Sequence, residues 1–197
     1  YQPQSGSITF VDNANDIGIN LNEVKHSEWR KKCGVVMQDS FIFSDTIANN
    51  IAVGEVAYDL DKLIIATKTA NIYSFIDDLP LKFNTKIGFE GIGLSAGQKQ
   101  RILLARAIYK NPDFIILDEA TNALDTNNEY IISKNLASFF KGRTVLIVAH
   151  RLSTVKTADQ IVVLNNGRIT ECGTHDTLIR KKGDYFCLVK NQLELEK

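Results

Sequence analysis

Four short runs of apolar residues stand out along the chain: CGVVM (33–37), FIIL (114–117), TVLIVA (144–149) and QIVVL (160–164). Their apolarity is continuous rather than alternating, which is the pattern of strands covered on both faces. Helical stretches separate the later runs, so the order predicts βαβ units and a mostly parallel sheet. SITFVD (7–12) reads as a further, more exposed strand, and NGRITECG (166–173) alternates after a turn, as an edge strand or hairpin does.

Between residues 45 and 92 the period changes. DTIANNIAVG, DLDKLIIATKTAN and YSFIDDLPL have helical spacing, and no further strand run follows until Phe114. This predicts a helical subdomain over 45–111 inserted into an α/β core made of 1–44 and 112–197. The Asn111-Pro112 pair ends the helix that opens near Ser95, because proline disfavours helix in the residue before it. The C-terminal YFCLVKNQLELEK reads as an amphipathic helix with a frayed, charged end.

Composition narrows the classes further. A chain of 197 residues with 44% apolar and 23% charged residues can bury a core of ordinary size. Lys+Arg and Asp+Glu balance at 23 each, so bulk charge recruits neither nucleic acid nor an anionic membrane. No apolar run approaches the roughly 18 residues of a membrane span. Cys33, Cys172 and Cys187 form no CxxC or Cys/His cluster, which makes zinc and a disulfide framework poor readings. They read as small apolar fillers in a reduced, cytosolic compartment.

Candidate chemistry gathers at the ends of the strand runs. Asp118 and Glu119 follow FIIL at the carboxyl end of an expected parallel strand, where open α/β sheets bind ligands. Asp118 could hold Mg²⁺ through its waters, and Glu119 could take a proton from an attacking water; a solvated acidic loop would be written the same way. Ser95 with Gln98 three residues on is a capping-box pattern, and the helix it opens offers unpaired N–H groups to a phosphate. Gly97 lets the backbone come close to such an anion, though an ordinary cap is the competing reading. His150 ends TVLIVAH and could hydrogen-bond a phosphate, while Gln38 ends CGVVMQ and could orient a water and touch Mg²⁺. Each has a structural alternative, but four polar groups at one end of three buried strands are hard to assign to chance. Two decoys fail. Gly91-x-Gly93-x-x-Ala96 lacks the buried strand that the dinucleotide fingerprint needs, and Leu94 stands where a phosphate loop anchored by Gly88 and Gly93 would need its lysine.

With these motifs in order, essentially the whole chain resembles the nucleotide-binding domain of ABC transporters. LSAGQ looks like the signature motif, FIILDEA like the Walker B strand with its catalytic glutamate, and TNALD like the D-loop with Asp125 as its acid. VVMQ matches the Q-loop and VAHR the switch histidine. The resemblance implies a P-loop NTPase, RecA-like core with a helical subdomain, acting on ATP with Mg²⁺ as an ATPase. Gln38, Asp118, Glu119 and His150 would serve the chain's own nucleotide, Asp118 and Gln38 at the metal. Ser95, Ala96, Gly97 and Gln98 would face the γ-phosphate held by a second subunit in a head-to-tail homodimer. Ala96 departs from the glycine usual there, keeping the N–H but adding a methyl.

Within the 197 residues no GxxxxGK[ST] loop is present, and Tyr1 is not the aromatic that stacks on the nucleotide. The chain therefore reads as cut after the Walker A helix, without the N-terminal strands, and inactive on its own. QDSFIFSDTIANNIAVG, RLSTVKTAD and YFCLVKNQLEL are similar to peptide and bacteriocin exporters, which places the parent on the cytoplasmic side of a bacterial membrane. There Gln38–Ser44, with Phe41, Ile42 and Phe43, would meet the coupling helix of a transmembrane domain, with core packing inside the helical subdomain as the alternative for two of these three apolar residues. Two rivals remain: an ABC ATPase of DNA repair, against which only 57 positions separate Gln38 from Ser95, and a non-catalytic binding module.

Overall fold

The computed structural model describes residues 3–11, 18–37, 40–89, 91–118, 120, 125–148 and 155–195. In chain order the elements are β1 (Thr9–Val11), β2 (Gly18–Asn20), α1 (His26–Lys32), β3 (Cys33–Val36), β4 (Asp45–Thr46) and α2 (Ile47–Ile51). Then follow α3 (Leu60–Thr69), α4 (Tyr73–Asp77), β5 (Lys86–Ile87), α5 (Ala96–Tyr109), β6 (Phe114–Asp118) and α6 (Thr126–Phe139). The chain closes with β7 (Thr144–Val148), β8 (Ile161–Asn165), β9 (Arg168–Gly173), α7 (His175–Lys181) and α8 (Asp184–Leu195).

Three of the four apolar runs make one parallel sheet, in the order β3-β6-β7. The register pairs Val36 with Leu117 and Leu117 with Ile147, so the three carboxyl ends lie side by side. What fixes that register sits at the opposite ends. The Asp113 N–H donates to the Lys32 carbonyl (3.0 Å), and the Thr144 N–H donates to the Asp113 carbonyl (3.1 Å). Arg143 reinforces this edge, donating to Phe139 O (2.6 Å), Pro112 O (2.9 Å) and Asn111 Oδ1 (2.9 Å).

Helix α5 is the centre of the molecule. Seven of its residues, from Ile102 to Tyr109, are buried, so it is apolar on nearly all sides as a core helix is. It ends as the Asn-Pro pair predicts, with Asn111 in the left-handed region (φ 51) and Pro112 directly after it. Pro112 then presses on β3 so closely that a Cβ on Gly34 would lie 2.6 Å from its Cγ. Only glycine fits that crossing.

One apolar core runs from α2 to α5 and onto one face of the sheet, taking in Val36, Ile115 and Leu117. The opposite face departs from the expectation of two covered faces. At its amino end Phe10, Trp29 and Phe114 stack with centroids 4.4–5.1 Å apart, which docks the β1–β2 hairpin and α1. At its carboxyl end Val35, Leu146 and Val148 are 43%, 58% and 48% exposed. A continuous apolar run records that both faces of a strand are apolar; it does not record what packs on each. Among the described residues this half is only partly covered.

The run QIVVL also departs from its expected place. Among the described residues β8 pairs only with β9, antiparallel, and its burial alternates with Ile161 and Val163 inward. The turn is Asn166-Gly167, both at positive φ (49 and 73), which suits a tight hairpin. With α7 and α8 it forms a second small core around Leu178, Tyr185 and Val189. Cys33 is buried as an apolar filler, but Cys172 and Cys187 are exposed, because both lie on outward-facing positions of this C-terminal unit. The 45–92 stretch is helical as expected, with the addition of the two-residue strands β4 and β5, paired antiparallel. Among the described residues no helix is long and apolar enough to cross a membrane.

Candidate functional site

Asp118 closes the central strand, paired across from Val148 on β7. Strand alternation puts it on the same face as Phe114 and Ile116, the face whose carboxyl-end half is open. It is half-buried, so its carboxylate emerges between apolar neighbours with access from solvent. Gln38, Glu119 and His150 lie outside the described residues. The strands that they follow, β3, β6 and β7, end together at this edge.

The second candidate group sits on α5. Ser95 is the N-cap (φ −64, ψ 159), and the capping box is fully formed. Ser95 Oγ accepts the Gln98 N–H (3.1 Å), and Gln98 Oε1 accepts the Ser95 N–H (2.9 Å). This occupies one of the two lone pairs on each side-chain oxygen and leaves the donors, the Ser95 O–H and the Gln98 NH₂, to meet a ligand. The N–H groups of Ala96 and Gly97 add to these, since the first turn of a helix has no internal acceptor for them. Ser95 and Ala96 are exposed. A convergent set of donors at the positive end of a helix is built for an anion.

Asp125 is the third. It is the N-cap of α6, its Oδ1 accepting the Asn128 N–H (3.0 Å) and its Oδ2 the Asn128 side-chain NH₂ (2.6 Å). These bonds hold its carboxyl below the usual carboxylate range, the Asn128 backbone N–H contributing most. Asn128 Oδ1 in turn accepts from Asn71 Nδ2 (2.8 Å) and from Arg101 (3.3 Å). Arg101 also reaches the Asn71 carbonyl (2.7 Å) and, through Nε, the Gly97 carbonyl (3.2 Å). Asp125 is thus two side chains away from the Ser95–Gln98 turn. The Arg101 guanidinium titrates lower than usual because of burial, an effect that the nearby Asp125 charge opposes.

After β3 the chain passes through Phe41, Ile42 and Phe43. Phe41 and Phe43 are 60% and 42% exposed and meet edge to face (centroids 4.8 Å), while Ile42 packs on the core. Their backbone is fixed by Asn50, a fully buried polar residue of α2. Asn50 accepts the Phe43 N–H (2.8 Å) and donates to the carbonyls of Phe43 (3.0 Å) and Thr46 (2.9 Å). Arg106 of α5 clamps the same place, donating to Asn50 O (2.7 Å) and Phe41 O (3.2 Å) with its guanidinium over the Phe43 ring (5.3 Å). A groove of about 380 Å³ opens beside Phe43, with Asp45, Asn49, Val53 and Glu55 in its walls.

Sequence reasoning missed Asn50, Arg106, Asn71, Arg101 and Asn128. Asn50 had a signal, an asparagine at an inward position of TIANNIAVG, and Asn128 had another, its place three residues after the Asp125 cap. The others make contacts 27 to 65 residues away, for which a local pattern carries no mark.

Known proteins complete the picture. A family model described as ABC transporter matches residues 1–122. ABC transporter B family member 14 of Arabidopsis thaliana is 44% identical over 192 residues, covering 98% of this chain and 15% of its own length. The uncharacterized ABC transporter ATP-binding protein YfiC of Bacillus subtilis (strain 168) is 44% identical over 194 residues, covering 98% of this chain and 31% of its own. The structure of a bacterial Atm1-family ABC exporter with ATP bound superposes with a TM-score of 0.83 at 40% identity, over 89% of this chain and 31% of that one. The chain therefore spans less than a third of the relatives that it matches. Its parallel sheet and these matches agree on one assignment, a P-loop NTPase fold of the exporter kind: the chain belongs to the ABC transporter family.

Proposed function

We propose that the chain is the nucleotide-binding part of an ABC exporter, hydrolysing ATP on the cytoplasmic side of the membrane to drive export of a peptide, bacteriocin-like or other substrate. The observation that carries this reading is the aligned carboxyl edge of β3, β6 and β7, where Asp118 stands on an open face and the strands lead into Gln38, Glu119 and His150. In this reading 1–44 and 112–197 form the RecA-like core, and 45–111 is the helical subdomain.

An anionic oxygen at a strand end suits a hard cation. Asp118, through waters, and Gln38 would hold Mg²⁺, which when bound supplies charge neutralisation to the β- and γ-phosphates. Glu119 takes the proton of the attacking water, and His150 donates to the γ-phosphate. The donors of Ser95, Ala96, Gly97 and Gln98 close on the nucleotide of a second subunit, head to tail, with Asp125 alongside. Exposed Phe41 and Phe43, in the Gln38–Ser44 segment, receive the coupling helix of the transmembrane domain; support comes from their exposure beside a groove and from the clamp on their backbone.

The test is Glu119→Gln in the full-length protein. Mg-ATP binding persists, while phosphate release falls by at least about a hundredfold, as loss of a general base requires. Undiminished turnover in that variant contradicts the reading.

A further inference from the structure

We propose that Asn128 is a positioning residue for ATP hydrolysis: it holds the Asp125 carboxylate and locks it, through Arg101 and Asn71, to the Ser95–Gln98 turn. Three elements far apart in sequence meet at this one amide. Its NH₂ end donates to Asp125 Oδ2, and its oxygen accepts from two donors, Asn71 Nδ2 and Arg101. A residue that only capped α6 would need neither of the long-range partners.

The geometry is over-determined on every side. Asn71 sits in the left-handed region (φ 54) just past α3, so its carbonyl and its side chain both point into the cluster. Arg101 bridges the Gly97 carbonyl one turn back on α5 to the Asn71 carbonyl. One turn pair further along α6, Asn135 donates to the carbonyls of Thr69 (3.2 Å) and Lys68 (3.4 Å), pinning the end of α3 a second time. The three helices α3, α5 and α6 are therefore joined by asparagine and arginine bonds to helix-end carbonyls rather than by apolar contact alone. Such a joint is directional: an amide turned by a rotamer breaks all of its bonds together.

The consequence is mechanical. The Ser95–Gln98 donors and the Asp125 carboxylate move as one body, so a nucleotide that engages one engages the other in a fixed relation. This rests on the reading of the chain as an ATPase whose Ser95 turn closes on a partner's nucleotide. A misplaced Asp125 would leave ground-state ATP binding intact and slow the chemical step, which is the signature of lost positioning.

The experiment uses the full-length protein, with Asn128→Ala and the isosteric Asn128→Asp. The second keeps the acceptor for Arg101 and Asn71 but turns the Asp125 donor into a like charge. Steady-state ATP turnover and hydrogen–deuterium exchange are measured on both. The expected result is kcat lowered about tenfold with KM within about twofold, from loss of a hydrogen bond to a charged group. Faster exchange is expected at both 125–129 and 97–101 in Asn128→Ala, and at 125–129 alone in Asn128→Asp, which keeps the acceptor for Arg101 and Asn71. Unchanged kcat in the variants of a wild type that turns over, or faster exchange confined to 125–129 in Asn128→Ala, overturns the proposal. A wild type that does not turn over ATP sinks the functional reading instead, and the exchange at 97–101 still decides whether Asn128 ties the two segments. If Asn128→Ala does not fold, Asn128→Asp, which breaks only the bond to Asp125, carries the kcat readout, and unchanged kcat in it overturns the proposal.

Discussion

Replacing Asn50 by alanine removes the buried side chain that bonds both Phe43 and Thr46 across the Phe43–Thr46 turn. Three bonds of 2.8–3.0 Å vanish, to Phe43 N, Phe43 O and Thr46 O, together with a weaker acceptor for Arg106 (3.3 Å). Each neutral bond is worth about 1 kcal/mol net, and leaving its buried partner unpaired adds to the loss. Phe43 is partly exposed, so water recovers some of this. The expected loss is about 3–5 kcal/mol, a lowering of the urea midpoint by about 2 M at an ordinary slope. Asn50→Asp separates donor from acceptor. It keeps the acceptor for Phe43 N and gives Arg106 a carboxylate, but sets an anion against two carbonyl oxygens, and it loses about 1–3 kcal/mol. The assay is urea unfolding followed by circular dichroism. An alanine variant that loses less than about 1 kcal/mol refutes the view that Asn50 organises this turn.

Other substitutions probe other links. Ser95→Ala deletes the capping-box acceptor and lowers stability by about 1 kcal/mol, read by the same unfolding assay. Gly34→Ala forces a Cβ against Pro112 and destabilises by about 1–3 kcal/mol; a neutral result contradicts the close crossing of α5 and β3. The Asp125 carboxyl, whose folded pKa is depressed by Asn128, contributes stability that is present above its unfolded pKa and lost as pH falls through its folded one. Asp125→Asn therefore lowers stability at neutral pH, and its difference from wild type vanishes as pH falls through the folded pKa, checked by acid titration of both proteins. The 197 residues alone, which contain no GxxxxGK[ST], bind Mg-ATP more weakly than micromolar, and equilibrium dialysis checks this.

Local signals survived folding well. The helix start at Ser95 formed its full capping box, the Asn111-Pro112 pair ended α5, and NGRITECG formed a hairpin, because each is written within four or five residues. Apolar runs located β3, β6 and β7 but misjudged their surroundings. Burial belongs to a face and its neighbours, so TVLIVA and QIVVL read alike although β7 joins a parallel sheet and β8 pairs antiparallel with β9. Cys172 and Cys187 show the same limit, since composition counts them without knowing that they face outward. The polar clusters were the least legible part. Asn71, Arg101 and Asn128 are unremarkable one at a time, and acquire meaning only where three helix ends meet.

The central claim is that the Ser95 turn of one copy completes the nucleotide site built by Asp118 and Glu119 of another. It is tested most directly by mixing two full-length variants, each inactive alone: Ser95→Arg and Glu119→Gln. If sites are shared head to tail, each mixed dimer contains one intact site, and turnover returns to about a quarter of the wild-type level in an equal mixture. No recovery in dimers shown to have mixed would mean that each chain acts on its own nucleotide, and would contradict the account.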